Sequence, residues 1–378
     1  MKEMINKNII NYNNGYFWGV NEWIYNKKPE EEKFVEMQDE DCKMIERMTN
    51  KEISAESLNK MLFIFREKEK QYSEKRKCFS AMLFLKRRRV DFTDNKYKIE
   101  SEYIVRLVLK NENCQLIHID IPYIGDIIRM RENIEAGLKK IDLDECAMKK
   151  DVRKKRVDVI LSPRAAGYFI HEIIGHPLEV DFVKNGLSLY SMNDVGKRIL
   201  SKNITIFEKP DAASCVGLFF GKYDDLGKKL EDKLLVKDGV IQGFIDNYRC
   251  DSLKNKCMPR MYNLCLESNG KKNVLDMIRE TDYGLLIDNI ISGKFDCYQK
   301  KFSLYCDRAR VIERGEIVGV IEKVVIEDEV EKLKDKIRDV GNDIECMIGE
   351  CMKLGQIVKV GMTAPSIKME QINIDRGI

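Results

Sequence analysis

The chain holds three histidines, and two of them, His171 and His176, stand five positions apart with Glu172 directly after the first. Neutral imidazole nitrogens are good zinc ligands, and a carboxylate beside them is placed to take a proton from a zinc-bound water. Those residue types point to metal-assisted hydrolysis, with His171 and His176 as metal ligands, Glu172 as general base and zinc as cofactor. A buried helix carrying two hydrogen-bonded core histidines is the plainer alternative. It leaves Glu172 without a charge partner in an apolar neighbourhood, where a lone carboxylate is costly and a metal ion is a good counter-charge.

The elements that must position these groups are constrained by the spacing. In the familiar His-Glu-x-x-His arrangement the ligands lie about 40° apart around a 3.6-residue turn and share a face. A spacing of five places them about 140° apart on the same helix. Either a bulged turn brings the two imidazoles together, or the helix ends between them. Gly175 tolerates unusual backbone angles and Pro177 cannot continue the hydrogen-bond ladder, and both favour an ending. The spacing therefore predicts a helix from residue 163 to about 174 with Pro163 in its first turn. His171 and Glu172 lie on it, and His176 lies on the turn that leaves it. Ala165, Tyr168, Phe169, Ile173 and Ile174 put apolar groups on more than one side, as in a deeply buried helix.

The segment His171-Glu172-Ile173-Ile174-Gly175-His176, followed by Pro177-Leu178-Glu179-Val180-Asp181-Phe182, resembles the TldD/PmbA family of zinc metallopeptidases. That family reads His-Glu-x-x-Gly-His-Gly-Leu-Glu-Gly-Asp, so Pro177 and Val180 stand where it has glycine. Further pieces follow in the family's order. Val195-Gly196-Lys197-Arg198-Ile199 and Asn203-Ile204-Thr205-Ile206 resemble its Gly-Lys segment and next strand. Tyr223-Asp224-Asp225-Leu226-Gly227 resembles Phe-Asp-Asp-Glu-Gly, and Met258-Pro259-Arg260-Met261-Tyr262-Asn263 resembles Pro-Arg-Met-Thr-Asn. Glu350-Cys351-Met352-Lys353-Leu354-Gly355-Gln356 resembles Cys-Gly-Lys-x-Gly-Gln. The order of the pieces, over residues 155 to 378, carries the resemblance more than any one of them.

The resemblance implies an α+β protein: a mixed α/β N-terminal domain over 1–150 and a larger, β-rich metallopeptidase domain over 151–378. It implies a zinc peptidase acting on peptides or unfolded segments, and a third zinc ligand, Cys351. Two histidines and a cysteine leave a fourth position for water. The residues alone leave twelve cysteines to choose from, with Cys346 the nearest competitor; the family's Lys-x-x-Gln context favours Cys351. Arg260 is a candidate for steadying an oxyanion or a substrate carboxylate, with an exposed structural arginine as an alternative at least as strong. Asp224 and Asp225 either bind a substrate amine or hold a loop, and the loop is favoured. A peptide would bind by adding a strand to a sheet edge. The partners implied are the peptide and a second subunit, as a homo-oligomer or a hetero-oligomer with a PmbA-like chain that lacks the histidine motif. The alternatives are a non-catalytic peptide-binding or assembly subunit of such a complex, and a zinc amidase for small molecules.

Composition narrows the class. The length of 378 residues suffices for two domains with substantial cores. Basic and acidic residues nearly cancel, 66 against 63, which argues against a dedicated nucleic-acid binder. The basic runs Lys86-Arg87-Arg88-Arg89 and 149–156 read as a solvated strand end and an interdomain linker. No apolar stretch approaches the length of a membrane span, and the first residues lack a signal-peptide pattern. The expectation is a cytoplasmic protein whose scattered cysteines are reduced.

Along the chain, Leu58, Met61, Leu62 and Phe65 form the stripe of an amphipathic helix. Residues 77–92 and 102–121 read as strands, with His118 as a structural residue. Residues 129–148 read as a helix and Val157–Leu161 as a strand feeding the motif helix. Asp238-Gly239 and Arg314-Gly315 mark hairpins. Val330 to Asp343 reads as a helix.

Overall fold

Apolar residues recur at helical spacing or as β-rich runs on short turns, and the computed structural model follows both patterns in two compact units. It describes residues 155–251 and 256–376 continuously. Of the earlier chain it describes mainly 54–74, 78–91, 97–110 and 116–122, with a few isolated positions between 17 and 151. The first unit comprises residues 1–142 and 214–223, and the second residues 143–213 and 224–378.

In the first unit, helix α1 (Ala55–Glu74) buries Leu58, Met61 and Phe65 of the stripe read from the sequence, and the burial of Leu62 lies outside what is described. Three antiparallel strands follow: β1 (Cys78–Asp91), β2 (Tyr97–Lys110) and β3 (Leu116–Pro122). Arg87 and Arg88 of the first basic run pair with Ser101 and Glu100 of β2, and His118 pairs with Val108. The helix expected over 129–148 lies mostly outside the described residues, as does the middle of the second basic run.

The second unit is strand-rich. Strand β4 (Arg156–Leu161) leads into helix α2 (Pro163–Ile170), then a π-helical turn over His171–Gly175, a 3₁₀ turn over His176–Leu178 and the short helix α3 (Val180–Lys184). There follow β5 (Ile206–Glu208), β6 (Lys233–Lys237), β7 (Val240–Ile241), β8 (Tyr248–Asp251), β9 (Lys256–Pro259) and β10 (Asn263–Leu266). Helix α4 (Val274–Arg279) precedes β11 (Tyr283–Ile287), β12 (Ser292–Asp296), β13 (Lys301–Glu313) and β14 (Glu316–Glu329). The chain ends in β15 (Ile337–Val340), β16 (Glu345–Lys353), β17 (Gln356–Ala364) and β18 (Ile367–Arg376).

These strands form two main sheets. One has the order β11-β4-β18-β14-β13-β12, and β11 also pairs with β13, so the path closes on itself and leaves β12 outside the ring. The other has the order β7-β6-β5-β10-β17-β16. Helix α2 contributes Ala165, Ala166, Phe169 and Ile170 to a core shared with Leu161 of the first sheet and Leu264, Val358 and Val360 of the second. Gly167 permits close approach: a Cβ there would lie 2.6 Å from Met347 Sδ. The architecture is α+β, as expected.

Both hairpins form as read, with Asp238-Gly239 and Arg314-Gly315 at positive φ, the requirement of a type I′ turn. Two expectations are corrected. Only Leu333–Lys336 of the stretch 330–343 is α-helical, and Ile337–Val340 forms β15. A register shift in its pairing with β18 lets Ile337 and Val340, three apart, both turn inward, which imitates a helical spacing. The thiols are not all reduced: Cys250 and Cys257 are cross-strand neighbours on β8 and β9 and form a disulfide.

Candidate metal centre

The whole candidate site lies within the second unit. Its helix takes the bulged route, not the ending favoured by the sequence. The His176 N–H bonds the His171 carbonyl, an i→i+5 bond that widens the turn and stacks residues five apart. His176 keeps helical angles, with φ −59° and ψ −45°. The two imidazoles face each other edge to face, with ring centroids 4.8 Å apart. Gly175 is helical too (φ −58°), so space, not backbone freedom, explains it. A Cβ there would meet Met261 Sδ at 2.1 Å and Leu264 Cδ1 at 2.7 Å. Pro177 is the second residue of the 3₁₀ turn, where a missing N–H interrupts no ladder.

Strand β16 brings in the cysteine. Cys351 Sγ lies 3.2 Å from His176 Nε2. Cys346 is an odd number of residues earlier on an unbulged strand, so it projects from the opposite face. Its sulfur meets the Thr363 hydroxyl. The ligand-type atoms of His171, His176 and Cys351 all lie within 4.8 Å of one another, and all three residues are buried.

These residues fit a zinc ion. Their donor set of two imidazoles and one thiol is the chemistry of a zinc site. His171 Nδ1 is buried with no hydrogen-bond partner, and a buried polar atom in that state calls for a ligand. Burial opposes ionisation of Cys351, yet His171 and His176 pull its thiol down to about 4. Burial also opposes a charge on His176, but Glu179 and Cys351 carry its pKa up to about 10. A bound cation would favour the Cys351 thiolate and take the place of a proton on His176.

Glu172 is not one of the three clustered ligand-type residues and stays partly exposed. Burial raises its pKa, against the pull of His171 and His176. Two residues that the sequence did not single out enclose it. Tyr168, read there as packing, is one helical turn earlier, and its proximity favours the ionised Glu172 carboxylate. Gly293 of β12 lies so close that a Cβ would approach Glu172 Cγ to 2.8 Å. The four-residue spacing of Tyr168 and Glu172 was a signal for the first; Gly293 had none.

The remaining candidates lie elsewhere. Arg260 is wholly buried and is not a surface group open to substrate. Its Nη2 donates to the Cys351 carbonyl and its Nη1 to the Gln356 carbonyl and Oε1, so it braces the β16–β17 hairpin that carries the cysteine. Asp224 accepts from the N–H groups of Leu226, Lys228 and Tyr248, and Asp225 accepts from that of Cys250. Both carboxylates hold loop backbone.

Comparison with known proteins finds similarity over the range of the chain that includes these residues. Residues 154–376 match the family model described as the PmbA/TldA metallopeptidase C-terminal domain. A metalloprotease TldD homolog of Buchnera aphidicola is 30% identical over 232 residues, which cover 57% of this chain and 47% of that protein. A zinc metalloprotease TldD homolog of Saccharolobus solfataricus is 24% identical over 278 residues, covering 70% of this chain and 61% of its own. The chain spans about half the length of the first curated relatives it matches. The crystal structure of TldE from Thermococcus kodakarensis shares the fold, with a TM-score of 0.64 at 16% identity over 93% of this chain and 79% of that one.

Proposed function

We propose that this chain, which belongs to the PmbA/TldD family of metallopeptidases, is a zinc-dependent peptidase acting on peptides or unfolded segments. The observation that carries the reading is the convergence of His171, His176 and Cys351 from two distant segments, with Glu172 directly beside them. A zinc ion held by those three side chains would supply Lewis acidity, enough to bring the pKa of a coordinated water to about 7. Glu172 receives the proton of the attacking water at its carboxylate and returns it to the departing amine nitrogen. Arg260 acts through the Cys351 backbone and not on the substrate.

An extended peptide has an edge to pair with. Among the described residues β12 pairs only with β13, and it passes Glu172 at Gly293. Main-chain pairing with β12 would lay a peptide bond across Glu172 with little side-chain selection. Gly293→Ala is expected to displace Glu172 and lower turnover on peptides at least tenfold, with zinc content unchanged. Wild-type turnover in that variant would break the link between β12 and the base.

The partner is a second family subunit, of the same kind or PmbA-like, enclosing the site so that it admits extended chains only. The reading is tested on a mixed peptide library and on stably folded proteins, with mass measured by light scattering. Chelation should abolish cleavage of peptides and added zinc restore it, and folded proteins should survive. Cleavage that persists in chelator removes the zinc reading. A monomer that cuts folded proteins as readily removes the enclosed site.

Among the described residues no helix is long and apolar enough to cross a membrane.

A further inference from the structure

His176 and Cys351 are separated by 175 positions in the chain, and each has a charged residue close behind it on the same side. Glu179 follows His176 by three residues across a 3₁₀ turn, where side chains i and i+3 eclipse. Lys353 follows Cys351 by two residues on β16, so the two share a strand face. Glu179 is fully buried and the Lys353 side chain is 2% exposed. The two meet there: Glu179 Oε2 accepts from Lys353 Nζ at 2.8 Å and from His176 Nδ1 at 3.0 Å. Lys353 Nζ donates also to Asp181 Oδ1 at 2.7 Å and to the Pro259 carbonyl at 3.2 Å, which uses all its N–H bonds.

The contact fixes the imidazole. An ionised carboxylate only accepts, so His176 Nδ1 must carry the proton that Glu179 receives in hydrogen bonding. Nε2 is then the nitrogen turned to Cys351. Lys353 fixes the carboxylate in turn, and it is part of the strand segment that supplies the thiol. A buried ion pair alone is weak evidence for a stabilising role. This one, however, bonds directly to a candidate ligand and ties together the two segments that bear the ligands.

We propose that Glu179 and Lys353 are positioning residues for the metal centre: Glu179 sets the tautomer and aim of His176, and Lys353 locks Glu179 against the strand that carries Cys351. The inference rests on the zinc reading above and assigns the ion pair a role in metal affinity. Groups that orient a metal-bound histidine typically change affinity about 10–100-fold when removed.

The test is a competition titration of zinc against a chromophoric chelator, with the visible spectrum of the cobalt-substituted protein as a second readout. It compares full-length wild type with Glu179→Leu, Glu179→Gln, Lys353→Met and the Glu179→Leu/Lys353→Met double variant, each checked for folding by circular dichroism. Glu179→Leu and Lys353→Met should each weaken zinc about 10–100-fold and alter the cobalt spectrum. Glu179→Gln, which keeps an acceptor for the Nδ1 proton, should recover part of the loss. The double variant should bind no more weakly than Glu179→Leu, because Lys353 acts through Glu179. A purely structural pair would not move zinc affinity. Should the leucine variant fail to fold, Glu179→Gln and Lys353→Met carry the test, each expected to bind more weakly than wild type. Variants within about twofold of wild-type affinity overturn the proposal, as do additive losses in the double variant. A wild type that binds no zinc overturns the zinc reading and this proposal together, whereas zinc binding that the variants leave intact overturns this proposal alone.

Discussion

Replacing Glu172 by glutamine should leave zinc bound and reduce peptide turnover about 10²–10⁴-fold, the usual contribution of a general acid–base group. The carboxylate lies beside the candidate ligands without belonging to them, and glutamine keeps its volume while losing the proton acceptor. The pH profile adds a second signature. Burial raises the Glu172 pKa above its ordinary value. A base works deprotonated, so wild-type turnover should climb as pH passes upward through that raised pKa. The residual turnover of Glu172→Gln should lack that climb. Steady-state rates across pH, with zinc content measured on the same samples, check both. A glutamine variant with wild-type turnover would remove Glu172 from the reaction.

The second large effect separates two cysteines. Cys351→Ala should lose most of its zinc, and its activity with it, while Cys346→Ala should keep both near wild type. The reason is strand parity: an odd offset on regular β16 sends the two sulfurs to opposite faces, one to His176 and one to Thr363. Metal analysis after dialysis reads the difference. Zinc loss in Cys346→Ala with zinc retained in Cys351→Ala would reverse the assignment.

How much of this was legible beforehand depended on the range of the interactions. Local patterns sufficed for α1, for the strand entering the motif helix, and for two hairpins whose turn residues need positive φ. The pairing of His171 with His176 was legible as a demand for an unusual turn. Its solution was not, because Gly175 and Pro177 suit an ending as well as they suit a π-helical turn. The deciding fact, the space Gly175 leaves for Met261, is tertiary. The misread helix at 330–343 has a similar cause. Val330, Leu333, Ile337 and Val340 are all buried at helix-like intervals, but a bulged strand achieves the same spacing. Cys351 emerged from family resemblance, since spacing alone cannot bring together residues so far apart. Arg260 was read either as a charge for substrate or as an exposed structural arginine, and it is buried, which sequence does not show. Glu179 and Lys353 sat unremarked inside motif segments, and only their contact across the fold reveals a shared task.

Zinc K-edge X-ray absorption of the wild-type protein tests the central claim most directly, because it reads the ligands and not their consequences. The account predicts one zinc per chain with a single sulfur at about 2.3 Å and imidazole nitrogens at about 2.0–2.1 Å, the shell of two histidines, a cysteine and a light-atom fourth ligand. A shell without sulfur, a shell with two or more sulfurs, or protein that takes up no zinc would contradict it.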